Sequence, residues 1–181
     1  QPRRSISLMA DYEMGFGVYD GTCSFVVEVH RGLTNPILFH IKEDSLWQRA
    51  KPHPYFDGTA HVLSPEDNLL HLAVHSYRHL DLLNHSLLDL HELVGSTSIN
   101  WEALVKRAKQ WGASRALYFL LFTAKKVLDT RVPESVFENI EPAPLKRSFG
   151  KAVFQLRGMW GLEQGQFWYR VAQLLGQCWI P

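Results

Sequence analysis

Between residues 25 and 30, Phe25, Val27 and Val29 alternate with Val26, Glu28 and His30, a two-residue period that predicts a β-strand with one wholly apolar face. The opposite face carries a carboxylate and an imidazole two residues apart. Upstream, MGFGVY is a second β-rich run, and the intervening Asp20-Gly21 suits a two-residue type I′ turn, so the segment predicts a hairpin. With a turn that tight, residues whose numbers sum to 41 stand opposite one another, which sets Glu13 against Glu28. Opposed carboxylates repel unless a cation or a proton lies between them.

Residues 34–61 interrupt the pattern with Pro36, Pro52 and Pro54 and allow a short helix near Asp44 to Arg49; they read as a connector. From residue 64 the period becomes helical. In SPED, Ser64 can cap, Pro65 fits the first turn, and Glu66 and Asp67 favour the positive end of the helix dipole. Further helices are predicted over 86–94, ended by Gly95, and over 101–111, between Asn100 and Gly112. Another is predicted over 114–129, with Ser114 as its cap and Pro133 beyond its end, and helical periodicity recurs near 145–157 and 165–177. The fold class is therefore α+β: strands within residues 1–45, a connector over 46–63, and a mostly α-helical bundle over 64–181. A two-stranded hairpin is marginal by itself, so either the bundle covers it or strands that belong beside it lie elsewhere.

An apolar content of 46% with 20% charged residues is ordinary for a soluble protein of 181 residues. The net charge of +1 gives no footprint for nucleic acid, and the short basic clusters at Arg3-Arg4, Lys106 to Lys109 and Lys125-Lys126 read as solvated helix faces. Cys23 and Cys178 form no CxxC or disulfide ladder, which sets a reducing cytoplasm as the expected location. Apolar runs such as ALYFLLF fall far short of the roughly 20 residues that cross a bilayer. QPRRSIS has neither the apolar core nor the cleavage site of a signal peptide, and a first residue other than methionine makes the chain read as a fragment. Phe167, Trp168, Tyr169 and Trp179 are read as helix core, with an exposed surface for a partner or another copy of the chain as the alternative.

The densest polar signal is HLAVHSYRHLDLLNHSLLDLHEL, which holds five of the nine histidines. Asp67, His71, His75 and His79 recur every four residues and so drift only about 40° per step around a helix. Three readings compete: a transition-metal site, a cleft lined by imidazoles for a polar or anionic ligand, and half-buried histidines satisfied by local partners. The metalloprotease pattern is absent, since His91-Glu92 is followed at position 95 by glycine. Asp89, among Leu87, Leu88 and Leu90, is either solvated or an internal partner of His75, Arg78 or His79. No GxGxxG, P-loop or GxSxG occurs.

Taken in order, VVEVHRGL, VLSPEDNLLHLAVHSYRH, LLDLHELV and INWEALVKRAKQWGASRALYFLLFTAKKVL resemble the bacterial family of uncharacterised nucleotidyltransferases, over about residues 13–133. The resemblance implies a polymerase β type sheet in which two carboxylates on one strand and a third on its neighbour hold Mg²⁺ against a nucleoside triphosphate. Glu28 matches the third carboxylate, as metal ligand or general base, and His30 the family's histidine. His75, His79 and Asp89 match its paired histidines and leucine-aspartate helix, which would shape the cleft or hold the helical domain. The family's Gly-Ser turn and Asp-x-Asp strand would precede residue 13, and the Asp11/Glu13 pair follows no such turn. The expectation is thus the C-terminal part of a Mg²⁺-dependent enzyme that moves a nucleotidyl group from an NTP to an unknown acceptor, inactive as this chain alone. The alternative is a non-catalytic helical interaction module.

Overall fold

The computed structural model describes residues 13–19, 21–34, 36, 38–78, 83–144 and 146–148. The expected helix over 165–177, the aromatic tail, His79 and most of the expected helix over 145–157 lie outside the described residues.

The chain opens with an antiparallel hairpin of β1 (Glu13–Tyr19) and β2 (Ser24–His30). Its register differs from expectation: Glu13 stands opposite His30 and Gly15 opposite Glu28, so partner numbers sum to 43 and the two glutamates are not paired. The loop is residues 20–23 rather than the Asp20-Gly21 dipeptide. Tyr19 closes the last pair with Ser24, its hydroxyl donates to the Gly21 carbonyl at 2.8 Å, and Gly21 takes a φ of 99° that a side chain would resist. Because the shift is by two residues, every side chain keeps its face. Gly15, Gly17, Tyr19, Ser24, Val26, Glu28 and His30 share one side; Met14, Phe16, Phe25, Val27 and Val29, all exposed, share the other. Among the described residues no further strand joins this sheet, and the bundle does not cover it.

The connector holds more structure than its prolines suggest. Helix α1 (Glu43–Arg49) is followed by the two-residue strands β3 (Lys51–Pro52) and β4 (His61–Val62), which pair with each other. Phe39 and Leu46 are buried in the same apolar cluster as the later helices, and the His40 amide donates to the Trp111 carbonyl at 3.0 Å. The segment is therefore packed onto the bundle and is not a free linker.

Helix α2 (Pro65–Arg78) starts as SPED predicts, with the Asp67 amide donating to Ser64 Oγ at 3.2 Å. Helix α3 (Leu83–Ser96) runs through Gly95, and at its end Ser96 Oγ and Thr97 Oγ1 each donate at 2.6 Å to the Glu92 and Leu93 carbonyls, the latter also accepting the Thr97 amide at 3.1 Å. Helix α4 (Trp101–Trp111) is capped by Asn100, whose side chain accepts from the Ala103 amide, and ends at Gly112 with φ 71°. Helix α5 (Ser114–Leu128) begins after Ala113, without a side-chain cap, and ends on Asp129 in the left-handed region. Helix α6 (Glu134–Ile140) was not predicted; it is only seven residues long, buried on one face through Val136, Phe137 and Ile140.

Helix α5 is the centre of the bundle, packed on α2, α3, α4 and α6. Ala116 to Leu121 form a continuous buried run, as expected of a helix apolar on all sides. Each fully buried leucine there, such as Leu117 or Leu121, contributes roughly 2 kcal/mol by burial.

Candidate functional site

Two polar clusters meet on α2. One is an ionic network around the motif that starts the helix. Asp67 has no exposed surface, and a buried carboxylate is stable only if charges and hydrogen bonds surround it. Arg49 supplies a two-pronged pair, Nε to Oδ2 at 2.7 Å and Nη2 to Oδ1 at 3.0 Å. Arg107 Nη1 reaches Oδ1 at 3.2 Å, and Ser64 Oγ donates to Oδ2 at 2.8 Å. Arg107 Nη1 also donates to Ser64 Oγ at 3.0 Å and lies 3.4 Å from Glu66 Oε2. Glu66 Oε1 in turn accepts the Asn100 amide at 2.9 Å. Two guanidinium groups face two carboxylates, so the network is neutral and has no surplus charge to offer a phosphate. Its part is to join α1, α2 and α4. The basic run at 106–109 is accordingly not wholly a solvated face, since Arg107 points inward.

The second cluster lies further along the same face of α2. His71 and His75, one turn apart, place their ring centroids 5.7 Å from each other. The His71 pKa is lowered from 6.5 to about 4, first by burial and then by the charges of His75 and of His30 on the hairpin. His30 is thus near enough to act on His71 electrostatically, and His71 is a neutral imidazole at pH 7. Next to His30, Glu28 places Oε2 3.8 Å from the His30 Nε2, longer than a hydrogen bond, with its side chain 59% exposed. His30 and His75 have further interactions with their surroundings.

Of the residues singled out in the sequence, His75 lies beside His71, and Glu28 lies beside His30. Asp89 is exposed on α3, beside the buried Ser86, Leu87 and Leu90. His79 lies outside the described residues. His91 is satisfied locally: its Nδ1 lies 2.9 Å from Thr130 Oγ1, a hydroxyl that also lies 3.2 Å from the Ala124 carbonyl. The sequence reading missed His71 as the most perturbed imidazole and missed the arginine partners of Asp67. An aspartate on an otherwise apolar helix flank signals a hidden cation, but it does not say which one.

Mg²⁺ prefers near-octahedral oxygen ligation with at least one or two carboxylates. Glu28 presents one, the position across from it is Gly15, and among the described residues no three acidic, histidine or cysteine side chains are arranged to hold a metal ion. The described residues therefore do not make up a magnesium site. A depression of about 410 Å³ is lined by Trp101, Lys125, Asp129, Thr130, Arg131, Val132 and Pro133 and shares no residue with either polar cluster. Lys125 in its wall is already paired with Glu134 at 2.8 Å and lies over the Phe137 ring.

Compared with known proteins, residues 9–129, more than half of the chain, match the family described as uncharacterised nucleotidyltransferase, and the chain belongs to that family. No curated protein and no solved structure matches it. Among the described residues no helix is long and apolar enough to cross a membrane.

Proposed function

We propose that the polar face of β2 is one wall of a nucleotidyl-transfer site, with Glu28 as metal ligand or general base and the α2 histidines as the facing wall. What supports this is the electrostatic effect of His30, the neighbour of Glu28 on β2, on His71, together with the family match over both elements. The reaction would carry a nucleotidyl group from an NTP to an acceptor, with Mg²⁺ as the expected cofactor and Glu28 as one of its ligands. His71 would contribute a neutral hydrogen-bonding edge rather than positive charge, because an imidazole held near pKa 4 is unprotonated at neutral pH. His79 and Asp89 belong to the cleft on the sequence resemblance alone.

We propose in addition that this chain by itself carries out no transfer. Incubation with each labelled NTP, Mg²⁺ and a panel of nucleotide, peptide and small-molecule acceptors tests both parts. Appreciable transfer would overturn the expected inactivity. Transfer that survives Glu28→Gln unchanged would remove Glu28 from the site. The exposed apolar face of the hairpin favours a second reading, a non-catalytic interaction module, which predicts partner binding that is indifferent to NTP and to Glu28→Gln.

A further inference from the structure

His71 and His75 stand one turn apart on α2, and a four-residue spacing is the one at which two imidazoles on a single helix face can close on the same ion. Among the described residues no other two histidines of one helix are so spaced. Their ring centroids are 5.7 Å apart. A ring centre lies about 3.2 Å from a metal bound through one of its nitrogens, so two rings on a tetrahedral ion have centres about 5.2 Å apart. The remaining difference of about half an ångström is within what small rotations about the broad χ2 torsion of histidine supply.

We propose that His71 and His75 form a two-imidazole site for a divalent transition metal such as Zn²⁺, with its other coordination positions left to water or to an anionic ligand. Imidazole suits Zn²⁺, Cu²⁺ and Ni²⁺ and is a poor match for the hard Mg²⁺ ion, which prefers oxygen. The site is therefore separate in kind from the one proposed at Glu28 and stands whether or not Glu28 binds anything. Both rings are half-buried, which leaves an approach from solvent. His71 is also unprotonated at pH 7, its pKa lowered to about 4 by burial first, so no proton has to leave that ring before a metal binds.

The neighbouring positions define what the ion would meet. Asp67, one turn back on the same stripe, does not turn to it, because its two oxygens are held by Arg49, Arg107 and Ser64. Leu72 follows His71 where the zinc-protease motif has its glutamate base, so HLAVH lacks the carboxylate that would activate water on a bound ion. Two protein ligands and no adjacent base suit the recruitment of a ligand rather than hydrolysis.

Isothermal titration of the full chain with Zn²⁺, in a Cys23→Ser, Cys178→Ser background so that no thiol competes, tests the assignment. One ion per chain is expected, with affinity lowered at least about tenfold in His71→Gln and in His75→Gln alike, since each removes one arm of a chelate. His91→Gln, whose ring is engaged with Thr130, should bind like the parent. No bound ion in the parent, a site kept in both His71→Gln and His75→Gln, or one lost in His75→Gln and His79→Gln while His71→Gln retains it, each overturns the proposal. The ring ¹⁵N resonances of the parent give a reading that needs no variant to fold. Those of His71 and His75 should shift together as Zn²⁺ is added and stay in place with Mg²⁺ at the same concentration. Rings that do not respond to Zn²⁺, or that respond equally to Mg²⁺, overturn it as well.

Discussion

Arg49 and Asp67 join α1 to α2 through two hydrogen bonds of 2.7 and 3.0 Å, across 18 positions of sequence, at a carboxylate with no exposed surface. Its energetics are asymmetric. Asp67→Ala leaves two guanidiniums without their shared acceptor and should destabilise the fold by about 3 kcal/mol, because breaking a buried ion pair from one side leaves uncompensated charge. Arg49→Gln, which leaves Asp67 two partners, should cost clearly less. Urea unfolding midpoints of the two variants, measured with one m-value, decide this; equal losses would contradict it.

His71 makes stability fall with acid. Its folded pKa of about 4 lies below the ordinary 6.5, so the unfolded chain takes up a proton that the folded chain refuses. Stability contributed by the neutral ring is complete above pH 6.5, declines as pH drops toward 4 and is gone below it, a loss of about 3 kcal/mol at most. His71→Gln should flatten the pH dependence of the unfolding free energy across that window. An unaltered slope would show that other groups carry it.

In the bundle centre, Leu117→Ala removes a side chain with no exposed surface and should cost about 3 kcal/mol through lost burial and a cavity. Val27→Thr, on the open apolar face of the hairpin, should change stability by less than about 0.5 kcal/mol. A large effect at Val27 in thermal or chemical unfolding would mean that something covers this face in solution.

Gly112→Ala places a β-carbon where φ is 71° and should cost about 1 kcal/mol, although the space around that carbon is empty. Differential scanning calorimetry would report the change as a lowered midpoint. An unchanged midpoint would argue that α4 ends differently from the left-handed cap described.

What could be read from the sequence was local. Asn100 and Gly112 bracket α4 because an N-cap side chain and a left-handed glycine act within one turn of themselves. Ser64 and Pro65 mark the start of α2 for the same reason. The strand parity that sets Glu28 and His30 on one face was also legible, since side-chain alternation needs only the local period. The loop length was not, because Asp-Gly fits a two-residue turn while the Tyr19 hydroxyl latch that favours four residues shows only in three dimensions. Helix α6 is too short for its period to stand out. The network around Asp67 joins positions 18 and 40 apart, and the His91 contact with Thr130 spans 39, separations to which no periodicity points.

The even register shift of the hairpin also bears on how the protein absorbs changes of loop length. A slide of β1 along β2 by two positions leaves every side chain on its side. A single-residue insertion is absorbed by a five-residue loop or a bulge, whereas strands re-paired one position out of step would turn Met14 and Phe16 toward the face that carries Glu28 and His30.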